Sequence, residues 1–151
     1  MFNKTNKLFM GLNETDRATL VELYWERCKK ALTATDNAIS SEDWYCAANR
    51  IYYAVFYAVC TLFIKKGIPI NSHRGIKVIF NKEFVATGKI SHETSKILSQ
   101  LETLRDKADY NVLFEATKED IMNYRPKADA FIAEIKTLMD KETTDIAITN
   151  N

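Results

Sequence analysis

A chain of 151 residues has the length of one domain and can bury a core without disulfide or metal staples. Its 46% hydrophobic and 27% charged residues are ordinary for a globular protein, and a net charge of +1 gives no global field to recruit nucleic acid or membrane. Four glycines and two prolines are too few for the many tight turns of an all-β fold, so the composition points to helices.

The opening "MFNKTNKLFMGLNETD" lacks the long apolar core of a signal peptide, and residues 1–13 are read as an N-terminal extension. Apolar spacing of three and four residues then predicts a first helix over Glu14–Ile39. Leu20, Tyr24, Cys28, Ala31, Ala34 and Ala38 lie on its inner face. Ser40 or Ser41 is the expected cap of a second helix ending near Lys66, with Gly67 as its stop.

The run "IYYAVFYAVCTLFI" in that helix, Ile51–Ile64, is about 14 residues, short of the roughly 20 that span a bilayer. It predicts a buried core helix and no membrane association. Tyr52, Phe56 and Leu62 face away from Tyr53, Tyr57 and Cys60, yet both sides are apolar. Such a helix needs cover on several faces, from its own bundle or from a second subunit, and a homodimer is expected.

The loop "GIPINS" ends in Ser72, which can cap a short third helix from about His73 to Val85, with Ile76, Ile79, Phe80 and Phe84 inward. "ATGK" breaks it. Ser91 starts a fourth helix with the stripe Ile97, Leu101, Leu104 and Ala108. A fifth starts at "TKED", where Thr117 and Asp120 have capping-box spacing. Its stripe of Ile121, Tyr124, Ala128, Phe131, Ile135 and Leu138 keeps phase across Pro126, which predicts a bend and not a break. The expected fold is all-α: an antiparallel bundle of four long helices plus one short helix over residues 14–142, followed by a polar, frayed tail at 143–151.

Three widely spaced cysteines, Cys28, Cys46 and Cys60, in apolar helical patterns argue for reduced, buried thiols and a cytoplasmic location. Neither histidine, His73 or His92, stands at metal-ligand spacing from them, so neither metal nor cofactor is expected. The charge is uneven. Between Lys65 and Lys89, six lysines and arginines oppose Glu83 alone.

The segments "AANRIYYAVFYAVCTLFIKKGI", "NSHRGIKVIFNKEFVATGKI", "LETLRDKADYN" and "ADAFIAEI", in this order over roughly 14–141, resemble the HEPN domain, most of all a bacterial and archaeal branch of it. The resemblance implies a dimeric all-α bundle, often encoded beside a small nucleotidyltransferase. It further implies that many members are metal-independent ribonucleases acting as toxins. Their site is an arginine, often with a polar residue after it, then a histidine after four to six intervening positions, and two copies meet across the dimer. Arg105 takes the arginine's place and Asp106 that of the polar residue. The histidine's place falls on Tyr110, Asn111 or Val112.

Cleavage of RNA through its 2′-hydroxyl needs a proton acceptor and a proton donor, and histidine suits both because it titrates near neutral pH. Without one after Arg105, Asp109 or Tyr110 is the local substitute. In a helix, Arg105 and Asp109 share a face, so an ion pair between them is expected, in a charge network that includes Asp106. Arg50, on the most buried helix, is expected to reach Asp106 or Asp109, or else to present a fork to phosphate. His73 and Arg74 open the third helix, whose free backbone donors favour anions. With Lys77 they are candidates for binding a nucleotide or RNA phosphate. The aromatics Tyr52, Tyr53, Phe56 and Tyr57 can stack bases where exposed, and otherwise form core and interface.

Two functions follow. One is a nucleotide-, RNA- or partner-binding module working with a nucleotidyltransferase. The other is a metal-independent endoribonuclease toxin with an altered centre at Arg105.

Overall fold

The computed structural model describes residues 12–149, with side chains through Lys141. The extension up to Gly11 and the side chains of the 143–151 tail lie outside the described residues. Five helices follow one another: α1 (Glu14–Ser40), α2 (Trp44–Lys66), α3 (His73–Phe80), α4 (His92–Tyr110) and α5 (Lys118–Thr149). The all-α antiparallel bundle is as expected.

α2 is the central post, packed against α1, α4 and α5. From Ile51 to Ile64 all but Tyr53 and Tyr57 are buried, which explains why no polar face can be read along this helix. It is long and apolar enough to cross a membrane, yet 78% of its most apolar window is buried inside the bundle, as in a core helix. Phe63, Leu62 and Leu101 are fully covered, as are Phe131 and Ile135 of α5. Each such side chain contributes roughly 1.5–3 kcal/mol of transfer free energy. A smaller second cluster, Ala38, Ala47, Ala48, Leu104 and Ile121, closes the end of the bundle where α1 turns into α2.

Most helix boundaries lie where the sequence places them, with Ser72 and Ser91 each accepting a backbone N–H of the first turn. Thr117 and Asp120 cap each other reciprocally, at 3.2 and 3.1 Å. Gly67 ends α2 at φ +70°, and the Ile64 carbonyl accepts both the Gly67 N–H at 3.1 Å and Arg17 Nη1 of α1 at 2.8 Å. α5 runs unbroken through Pro126.

The start of α2 differs from expectation. Neither Ser40 nor Ser41 caps it. Ser40 still belongs to α1, the Ser41 N–H bonds back to the Asn37 carbonyl, and the Asp43 carboxylate accepts from the Cys46 N–H at 3.0 Å. Reversing the chain takes three residues, with Glu42 in the left-handed region at φ 56°. The cap therefore falls two residues after Ser41.

α3 continues through one π-turn, Asn81–Val85, where the Ala86 N–H reaches the Asn81 carbonyl. Phe80 and Phe84, on either side of its start, are both buried. Cys28 and Cys60 are buried thiols, and burial pushes Cys28 up to about 12. Cys46 is only half-buried, because it sits on the first turn of α2.

Candidate functional site

Three helices bring their polar residues together at one place on the bundle: the N-terminal half of α2, the first turn of α3 and the C-terminal half of α4. Arg105 of α4 is 13% exposed. Its Nε and Nη2 donate to Asp106 Oδ1 at 3.1 and 2.5 Å, and its Nη1 donates to the Tyr53 hydroxyl at 3.2 Å. The guanidinium lies over the Tyr52 ring, 4.6 Å from its centroid, and 5.6 Å from that of Tyr53. Burial works against this charge, but the Asp106 bond holds it in place.

Tyr52 joins this arginine to a histidine. Its hydroxyl shares a 2.8 Å hydrogen bond with His73 Nδ1. The imidazole stacks on Phe56, with centroids 4.4 Å apart and planes 19° from parallel. Burial, then the positive charge of Arg105, push His73 below its ordinary value, while Glu102 and Asp106 pull the other way. His73 is therefore mostly neutral at pH 7. The Tyr52 phenol is pushed up by burial and by Glu102, so it keeps its proton. Lys77, one turn after His73, pairs with Glu102 Oε1 at 3.2 Å.

Arg105, Asp106, His73 and Lys77 were assigned from sequence to two separate groups, and here they form one. Two expected contacts need correction. Arg105 does not pair with Asp109, because its fork closes on the adjacent Asp106; Asp109 instead accepts from Asn49 Nδ2 at 3.3 Å and raises the Tyr45 phenol. Arg50 reaches neither Asp106 nor Asp109, because Asn49 Oδ1 accepts its Nε and Nη2 at 3.0 and 2.6 Å. The link from Arg50 to α4 runs through that asparagine. Arg50 also lies over the other tyrosine, 5.0 Å from the Tyr53 centroid. Tyr110 is 79% exposed, and Arg74 is exposed outside the cluster.

Sequence reasoning assigned no site role to Glu102 or Asn49, and it treated Tyr52 and Tyr53 as core or stacking residues. Glu102 and Arg105 stand three apart on one helix, a spacing that puts them on one face and was there to be read. The hydroxyls of Tyr52 and Tyr53 gave no such signal, since they are recruited by residues distant in sequence.

The chain as a whole has counterparts among known proteins. A family model of the HEPN domain matches residues 21–148. The chain belongs to the HEPN family. A UPF0332 protein of Thermotoga maritima is 33% identical over 129 residues, which cover 85% of this chain and 96% of that protein. A protein of Methanocaldococcus jannaschii named "Putative toxin MJ0142" is 32% identical over 111 residues, covering 74% of this HEPN chain and 76% of the relative. A second from the same organism, "Putative toxin MJ0605", is 28% identical over 117 residues, covering 78% and 84% respectively.

Proposed function

We propose that this HEPN protein is a metal-independent endoribonuclease of the toxin type, with His73 in the role of the histidine that does not follow Arg105. The observation that supports this reading is the meeting of His73 and Arg105 on Tyr52. With its Nδ1–H donated to the Tyr52 oxygen, the neutral imidazole accepts at Nε2 the proton of an RNA 2′-hydroxyl as that oxygen attacks phosphorus. Arg105 stabilises the charge that grows on the phosphoryl oxygens, inside a site where water screens little of it. Tyr53, whose oxygen accepts from Arg105, gives its own proton to the departing 5′-oxygen. The products are a 2′,3′-cyclic phosphate and a 5′-hydroxyl end, and proton exchange with water resets both residues.

In this reading the protein is cytoplasmic and forms a homodimer through α2 and α4, with a nucleotidyltransferase as its partner. Exposed Tyr110, Val112 and Leu113, at the end of α4 next to the site, support such a contact. A second reading, a binding module that does not cut, is favoured by one detail. Asp106 already occupies two donors of the Arg105 fork.

Incubating the purified protein with total RNA in the presence of a chelator separates the two. Cutting that leaves cyclic-phosphate ends, and that is lost in Arg105→Ala and in His73→Ala, establishes the ribonuclease. Folded protein that binds RNA without cutting it establishes the module.

A further inference from the structure

Beyond the Arg105–His73 cluster, a cleft of about 600 Å³ opens between α1 and α2, and His73 lines one part of it. Its volume falls in the range of small-molecule sites. The wall contributed by α2 is aromatic: Tyr53 and Tyr57, whose ring centroids are 5.9 Å apart, with Tyr24 of α1 edge-on to Tyr57 at 6.2 Å. Tyr53 and Tyr57 are the two residues of the Ile51–Ile64 run that are only part-buried, so each keeps some ring surface on the cleft. The wall contributed by α1 combines Leu20, Leu23 and Tyr24 with two cations at its margin. Arg27 and Lys30 are both exposed, with Arg27 near the Tyr57 ring at 5.9 Å. The one acid among the lining residues, Glu26, is paired with Lys29 at 2.9 Å.

We propose that this cleft is a nucleobase subsite for single-stranded RNA. It takes the base of a nucleotide adjoining the phosphodiester held at His73 and Arg105, and the proposal rests on the RNA-directed reading of that cluster. Flat π-faces with cations at the margin suit a base joined to a phosphate, since any base stacks on a tyrosine and the phosphate needs a nearby positive charge. An apolar peptide or lipid would gain nothing from Arg27 and Lys30. Tyr53 belongs to both places: its hydroxyl meets Arg105 and its ring lines the cleft. One strand can therefore run from the cleft to the cluster.

The test uses a fluorescent 2′-O-methyl RNA hexamer, which binds but cannot be cut, with an abasic 2′-O-methyl backbone of equal length for comparison. Affinities are read by anisotropy. The wild type should prefer RNA over the abasic strand, and Tyr57→Ala should weaken RNA binding roughly 5- to 100-fold while leaving the abasic strand unchanged. Arg27→Glu and Lys30→Glu, at exposed positions that tolerate substitution, should weaken both strands and lessen the salt dependence. Equal binding of RNA and abasic strand, or RNA binding within twofold of wild type in both charge reversals, overturns the proposal. Arg105→Ala cleavage is scored separately. Cutting that depends on Arg105 but ignores every cleft variant removes the subsite and leaves the ribonuclease. Cleft-dependent binding without cutting does the reverse.

Discussion

His73 and Arg105 meet on a single tyrosine. The histidine bonds the Tyr52 hydroxyl, and the arginine lies over the Tyr52 ring. Tyr52 is 1% exposed, so its position is fixed by the core of the bundle and not by the site. It therefore sets the spacing of two groups that come from different helices. Replacing it with phenylalanine keeps the ring under Arg105 and removes only the bond to His73. RNA cleavage should fall about 10- to 100-fold in Tyr52→Phe, at a stability cost of about 1 kcal/mol. Cleavage rates together with urea unfolding check both halves.

The pH dependence of stability follows from His73. Its folded value lies below its ordinary one, because burial and Arg105 disfavour the cation. Below about pH 6.5 the unfolded chain takes up a proton that the folded chain still refuses, so stability falls as pH falls. The loss begins near the unfolded value and ends once the folded imidazole also protonates. Unfolding midpoints between about pH 7 and pH 5 should decline for the wild type and decline less for His73→Gln. Asp36, held down by its bond to Arg125, adds a separate loss at more acid pH. A His73→Gln profile parallel to wild type through the upper window would remove this account.

Much of this fold was legible because its determinants are local. Period, Gly67, Ser72, Ser91 and the Thr117–Asp120 box each act within a few residues, and each appears where the sequence places it. The site was half legible. Arg105 and Asp106 are adjacent, and His73 stood out as a titratable group at a helix start, but nothing local says that the two groups converge. Their meeting depends on how α3 is laid across α2 and α4. The Arg50 expectation failed for the converse reason. A carboxylate across the bundle was sought for its charge, whereas the neighbouring Asn49 amide satisfied the guanidinium at short range.

The start of α2 gives a test of stability alone. Asp43 accepts the Cys46 N–H and so satisfies one of the four donors that a helix start leaves open. Asp43→Ala should cost about 1 kcal/mol. Ser41→Ala should stay within about 0.5 kcal/mol, because the Ser41 contact is made by its backbone, which alanine retains. Chemical denaturation of the two variants distinguishes the observed cap from the one the serines suggested.

Asp106 decides how Arg105 is used. Its side chain is 46% exposed, yet it occupies Nε and Nη2 of a fork that is otherwise shaped for phosphate oxygens. A bound phosphate must displace that carboxylate or be repelled by it. Asp106→Asn keeps the shape, removes the negative charge and weakens the grip on the guanidinium. Because Asp106 is 46% exposed and the asparagine oxygen can still accept from the guanidinium, the substitution should cost less than about 1 kcal/mol of stability. RNA binding should tighten several-fold, with the largest gain at low salt, where a repulsive charge is least screened. If the carboxylate serves only to hold Arg105 away from RNA, cleavage rises with affinity. If it also orients Arg105 toward the reacting phosphate, affinity rises while the cleavage rate falls. Binding measured on an uncleavable strand, beside single-turnover cutting, separates these two outcomes.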